Sequence, residues 1–223
     1  MATIADRLQA IKRRITAVSE GRDVTLLAIS KTHPAGLLRE AYAAGQTAFG
    51  ESYVQEAVAK QDLLRDLPLE WHFVGPIQSN KTTPIARHFD WVHGVDRLRI
   101  ALRLAEARLP EAPPLNICLQ VNISGERTKS GVAPTELLDL AAQVRELSGV
   151  RLRGLMAIPE PGDRARVRAQ FEAMKRLWDD VRTAGTPLDT LSMGMSDDFE
   201  LAIAAGSTMV RIGTAIFGVR ETT

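Results

Sequence analysis

The chain has 223 residues, 45% hydrophobic and 25% charged, with a net charge of +1. That composition belongs to a globular protein with a large core and excludes disorder, while the near-zero charge supplies no field for nucleic acid or an anionic membrane. Cys118 is the single cysteine, which excludes an internal disulfide and a cysteine-based zinc cage and suits a reducing, cytoplasmic compartment.

No apolar run approaches the roughly 18–20 residues needed to cross a bilayer, and the N-terminus shows no apolar signal core. Ile4, Leu8, Ile11, Ile15 and Val18 instead recur at helical spacing with charged residues between them. The first 20 residues therefore read as an amphipathic helix packed on the domain.

From there strand-like and helix-like segments alternate. Val24–Ser30 is short, apolar and branched, as a buried strand should be. A helix from Thr32 to Ala44 follows, with Pro34 in its first turn and Gly45 as its stop. Gln46–Gly50 is a second strand, and Ser52 with Gln55 forms a capping-box pattern opening a helix to about Asp66. Glu70–Gly75 is the third strand, with a short helix after Ser79. Trp91–Val95 and the helix Arg97–Arg108 come next, and Pro110, Pro113 and Pro114 break the chain. Leu115–Ile123 is strand five, followed by a helix from Pro134 to Leu147. Leu152–Ile158 is strand six, before a long helix from about Arg164 to Ala184. Leu188–Met193, the short helix Asp197–Ala205 and the strand Ser207–Ile212 complete the order.

Eight βα units imply a parallel sheet covered by helices, and eight in about 200 residues fit a closed (β/α)8 barrel of the TIM type. The α/β barrel is predicted to be one domain over residues 1–223, with helix 1–20 packed outside it. An open doubly wound sheet is the rival, but no glycine-rich dinucleotide loop follows the first strand.

In such barrels the active face lies at the C-terminal strand ends. Here those ends carry small and hydroxyl residues, without paired carboxylates or a His/Cys cluster for a metal. Lys31 stands out because the chain has 6 Lys against 22 Arg. Lysine can form a Schiff base once deprotonated and arginine cannot. Leu27, Ile29 and Lys31 share strand parity and should face the barrel interior. The loops after strands seven and eight, Gly194-Met195-Ser196 and Gly213-Thr214, sit where many barrels bind phosphate. Ser196 is predicted to open a helix whose N–H groups point at an anion. Arg211 ends strand eight, which barrel closure places beside strand one, so it should share a cavity with Lys31. The competing readings are an ordinary strand-end lysine, plain capping and tight turns, and an arginine paired with a carboxylate. A Lys, an Arg and a phosphate cup around one pocket suggest pyridoxal 5'-phosphate (PLP).

The runs Ile29-Ser30-Lys31-Thr32, Trp71 to Lys81, Arg153 to Pro159, Gly194-Met195-Ser196-Asp197-Asp198 and Arg211 to Gly218 together resemble the pyridoxal phosphate homeostasis protein family. That family is similar to the barrel domain of alanine racemase without its second domain. The resemblance implies that Lys31 carries PLP covalently, that Arg211 contacts the pyridine nitrogen, and that Ser196, Gly213 and Thr214 hold the phosphate. One position departs from it. Where the family often reads Phe-Gly-Glu-Asn, this chain has Phe49-Gly50-Glu51-Ser52.

Other candidates read as structural. Residues 125–131 have the wrong spacing for a P-loop and read as a polar loop that could cover the pocket mouth. His72 reads as a hydrogen-bonded core or pocket histidine, and His33, His88 and His93 show no partner pattern. Asp197 and Asp198 should complement a helix N-terminus.

Arginine at the pyridine nitrogen donates a hydrogen bond and leaves that nitrogen unprotonated, which weakens the electron sink that amino-acid chemistry needs. Racemisation also needs a second base, and only Tyr42 and Tyr53 exist, with Tyr53 able to reach the active face. The expectation is a PLP carrier or buffer affecting amino-acid and keto-acid metabolism, monomeric, with PLP-dependent apo-enzymes as candidate acceptors. The alternatives are a PLP-dependent racemase and a Schiff-base aldolase on a phosphorylated sugar.

Overall fold

Parallel strands close in chain order around a barrel, the last pairing with the first. They are β1 (Thr25–Ile29), β2 (Ala48–Glu51), β3 (Glu70–Phe73), β4 (Trp91–Val95), β5 (Leu115–Gln120), β6 (Val150–Met156), β7 (Thr190–Ser192) and β8 (Met209–Ile212). The computed structural model describes residues 2–126 and 129–218. The expected (β/α)8 fold is what the chain adopts. The β1–β8 register sets Leu27 against Arg211 and Ala28 against Ile212.

Helices cover the outside: α1 (Ile4–Ser19), α2 (Ala35–Ala43), α3 (Val54–Leu63), α4 (Thr82–His88), α5 (Leu98–Ala107), α6 (Leu137–Arg145), α7 (Arg164–Thr183), α8 (Phe199–Ala204) and α9 (Thr214–Phe217). In α1 the predicted apolar stripe buries Ile4, Leu8, Ile11 and Ile15, and the helix packs on α2, α8 and α9. Thr3 and Asp6 cap its start reciprocally, a pattern the periodicity argument did not use. No helix among the described residues is long and apolar enough to span a membrane.

Several predicted boundaries shift. The Ser52–Gln55 capping box does not form: Tyr53 is the N-cap of α3 and no side chain caps it. α2 begins at Ala35, after Pro34, and Thr32 lies before it with φ +67°. Strand six starts two residues earlier than predicted, at Val150. Leu115–Ile123 ends as a strand at Gln120, with Val121 bridged alone to Val132. α8 starts at Phe199 rather than Asp197, because the Asp198 carboxylate accepts the Met195 N–H at 2.6 Å and closes a turn over 195–198.

The barrel interior is divided. Leu27, Ala48 and Met209 form an apolar cluster with Ile29 and Val74 against them. Trp91, Cys118 and Met156 form another. Between them lie buried polar side chains from β3, β4, β7 and β8: His72, His93, Ser192 and Arg211. Polar groups so placed must find partners inside the barrel.

Candidate functional site

At the C-terminal ends of the strands a cavity of about 270 Å³ is lined by Lys31, Ser196, Arg211, Gly213 and Thr214, with Ser52 and Asp197 also on its wall. The five residues singled out from the sequence, spread over more than 180 positions, thus reach one pocket. Leu27 and Ile29 face the interior as their parity required, and Lys31 follows two residues beyond the strand end.

The loop carrying Lys31 is clamped from below. Lys60 in α3 donates from Nζ to the Ser30 carbonyl at 2.8 Å, to Glu51 Oε1 at 2.7 Å and to Glu56 Oε1 at 2.6 Å. Ser30 Oγ donates to Glu51 Oε1 at 2.6 Å, and the Thr32 N–H donates to Glu56. Ser30, Glu51 and Lys60 are buried. Burial pushes the Glu51 carboxyl above its ordinary range, opposed by the Lys60 charge. The clamp holds Thr32 in the left-handed region, a strained conformation for a β-branched residue that costs on the order of 1–3 kcal/mol. The sequence reading missed this group. Its one visible signal was the i,i+4 pair Glu56–Lys60 on a helix, which ordinarily means a solvated surface pair.

Arg211 is buried at the pocket floor. Nη1 donates to the Ser192 carbonyl at 2.6 Å and to Ser192 Oγ at 2.8 Å, and Nη2 donates to the Ala157 carbonyl at 2.9 Å. The competing reading, a carboxylate partner, is corrected: among the described residues no carboxylate pairs with it within 4 Å. Two of its five N–H groups remain outside these bonds. Burial lowers its pKa to about 10, which still leaves it cationic at neutral pH.

Gly213 lets β8 approach β1 closely, since a Cβ there would sit 3.0 Å from the Ile29 carbonyl oxygen. Thr214 opens α9, whose first N–H groups have no intrahelical acceptor. Ser196 is half-buried in the turn before α8, so the helix start predicted at Ser196 is corrected: Asp198 is the N-cap. Asp198 turns its carboxylate to the Met195 N–H, while Asp197 is exposed on the cavity wall. The other histidines also differ from expectation. His72 is buried and hydrogen-bonded as read, but His93 has partners on both ring nitrogens, and His33 is buried against Phe217. A neighbouring groove of about 420 Å³ shares Lys31 and Ser52 and adds Tyr53 and Lys81. Lys129 and Ser130 line a third, adjoining hollow, and Arg127 and Thr128 of that loop lie outside the described residues.

This barrel, with a lysine after β1 and an arginine on β8, belongs to the class represented by the alanine racemase N-terminal domain, whose family model matches residues 3–221. Solved alanine racemases share the fold at low identity, that of Corynebacterium glutamicum at 19% with a TM-score of 0.70 over 99% of this chain and 62% of its own. Much nearer is the pyridoxal phosphate homeostasis protein of Pseudomonas aeruginosa, 58% identical over 99% of this chain and 97% of that one. The Escherichia coli protein of the same name is 53% identical over 99% and 98%. PipY of Synechococcus elongatus, solved with PLP bound, is 41% identical with a TM-score of 0.87 over 97% of this chain and all of that one. The chain belongs to the pyridoxal phosphate homeostasis protein family.

Proposed function

We propose that this chain is a PLP-binding protein that holds, buffers or delivers the cofactor, with the whole barrel acting as one binding domain. The observation that carries the reading is the convergence of Lys31, Arg211, Ser196, Gly213 and Thr214 on one cavity. The donor set fits the group. A cavity of about 270 Å³ is small for a drug-sized ligand and suits a single substituted ring. Lys31 supplies the amine for covalent attachment to the aldehyde. Arg211 has two N–H donors left for an unprotonated ring nitrogen. The Ser196 hydroxyl and the N–H groups at Gly213 and Thr214 supply donors for a phosphate. Asp197 on the wall opposes that anion, and its exposure leaves its charge screened by water. Binding of PLP by PipY and the name shared by the close relatives support the same reading. PLP bound elsewhere acts as an electron sink for amino-acid chemistry. Here Arg211 keeps the ring nitrogen unprotonated, so the chain's residues favour retention over turnover, in a cytoplasmic monomer that passes the cofactor to PLP-dependent apo-enzymes.

Purified protein loaded with PLP should absorb visible light and lose that band on borohydride reduction, with the pyridoxyl adduct on Lys31 by mass spectrometry. An adduct on Lys81 or Lys129 refutes the site, and an absent band restores the aldolase reading. The racemase remains the second reading because Tyr53 lines the groove that Lys31 also lines and is 56% exposed. L-Alanine in deuterated water should show almost no Cα exchange with the loaded protein. Exchange at an enzyme-like rate, lost in both Lys31→Ala and Tyr53→Phe, establishes the racemase instead.

A further inference from the structure

Four hydrogen bonds form one line through the inside of the barrel. Arg211 Nη1 donates to Ser192 Oγ at 2.8 Å, and Ser192 Oγ lies 3.0 Å from His93 Nδ1. His93 Nε2 lies 3.0 Å from His72 Nδ1, and His72 Nε2 lies 2.7 Å from Glu70 Oε1. Ser192, His93 and His72 are fully buried, whereas the Glu70 side chain is 48% exposed. Arg211 lines the cavity at the C-terminal strand ends, while Glu70 is the first residue of β3, at the opposite rim. The line therefore runs from the pocket floor through the barrel to the far face.

Its direction follows from its two ends. A guanidinium only donates and an ionised carboxylate only accepts. Glu70 therefore accepts a hydrogen bond from His72 Nε2–H, which leaves His72 Nδ1 to accept from His93 Nε2–H. His93 Nδ1 is then left to accept from the Ser192 hydroxyl, whose oxygen accepts from Arg211. With one proton on each ring, every donor points from the pocket toward the rim and each imidazole carries its proton on Nε2. The surroundings agree with this. Trp91 stacks on His72 with ring centroids 5.4 Å apart, Arg153 lies over Trp91 at 4.7 Å and pairs with Asp189. Cys118 and Asp198 are the other titratable groups acting on Arg211. Burial, chiefly, with the Arg211 charge nearby, holds the His93 pKa well below its ordinary value.

We propose that Ser192, His93, His72 and Glu70 are positioning residues for Arg211, a one-way hydrogen-bond line that fixes where the guanidinium aims the donors it keeps for the pocket. The inference rests on the reading of Arg211 as the contact to the PLP ring nitrogen. Both Nη1 protons are committed to Ser192 and one Nη2 proton to Ala157, so the guanidinium cannot turn in its plane. Linked donors polarise one another, and the carboxylate terminus makes Ser192 Oγ a stronger acceptor for the cation.

The test has two arms. In the protein without cofactor, ¹⁵N NMR of labelled histidines at pH 8 should show two rings, assigned with His72→Gln and His93→Gln, as Nε2–H tautomers. In Glu70→Leu, changed only at the half-exposed rim, those signals should move toward mixed tautomers. In the second arm, Ser192→Ala should weaken PLP binding about 3–10-fold, the worth of one or two hydrogen bonds, and shift the visible band, with Ser192→Thr restoring both. A wild-type ring carrying a proton on Nδ1 overturns the proposal. So does a Ser192→Ala protein with unchanged affinity and spectrum while its Lys31 adduct still forms. Failure of wild-type protein to form any PLP adduct overturns the binding reading itself, and the proposal falls with it.

Discussion

Replacing Lys60 by methionine removes the ammonium at the centre of the clamp beneath Lys31 and keeps the length of the side chain. Glu56 is partly exposed and can be solvated, but Glu51 is fully buried and its Oε2 already lacks a hydrogen-bond partner. Breaking a buried ion pair by removing one partner costs about 3–5 kcal/mol, because a charge is left uncompensated. Glu51 has a way out, which is to take up a proton. Its ordinary pKa is 4.5. Keeping it protonated in the folded state costs about 1.36 kcal/mol for each pH unit above that value. At pH 7 the electrostatic penalty is therefore capped near 3.4 kcal/mol, and at pH 5 near 0.7 kcal/mol. In the variant the folded pKa of Glu51 stands above its unfolded value. Its stability is thus fully present below pH 4.5 and is lost as pH rises toward the folded pKa. Glu51 is already somewhat raised in the wild type, so urea denaturation should show Lys60→Met less stable by about 2–3 kcal/mol at pH 7, with most of the difference gone at pH 5. Glu51→Gln in the same background should recover much of the loss at pH 7. A penalty below about 1 kcal/mol at pH 7, or one that does not change with pH, refutes the reasoning.

Ser196→Ala should weaken PLP retention about tenfold or more, since a hydrogen bond to a charged group is worth about 1.5–3 kcal/mol, and pyridoxal without its phosphate should bind poorly to the wild type. Equal titration curves for pyridoxal and PLP rule out the cup. The Cys118 thiol, buried and pushed up to about 12 from 9.0, should not react with a disulfide reagent at pH 8 until urea unfolds the chain. Its folded pKa is raised, so its contribution to stability is whole below pH 9 and drains away as pH climbs toward 12; Cys118→Ala should flatten that limb of the stability profile. Glu70 is held below its ordinary value chiefly by the hydrogen bond from His72. That contribution is present above pH 4.5 and disappears as pH falls through the lower folded value, so Glu70→Gln should make acid unfolding less steep.

Periodicity alone reached the barrel, because strands buried on both faces must be short apolar runs and each crossover helix must show one apolar stripe. Parity and the parallel order then placed Lys31 and Arg211 on one side of one barrel end, since closure of the sheet leaves β8 no neighbour but β1 beyond β7. Small residues at strand ends drew attention to Ser196, Gly213 and Thr214 for the same reason. Tertiary structure decided what such local patterns cannot contain. Ser52 and Gln55 have the spacing of a capping box, yet the loop takes its entry from Tyr53 instead. Glu56 and Lys60 look like a surface pair until α3 is laid on β1 and β2, where the ammonium meets Ser30 and Glu51 in a dry interior. His93 shows no partner along the chain because its partners come from strands β3 and β7, and Ser192 lies 99 residues away. A hydrogen bond across a closed barrel joins residues by their height on the strands, a quantity set by register and shear, and no spacing in the sequence encodes it.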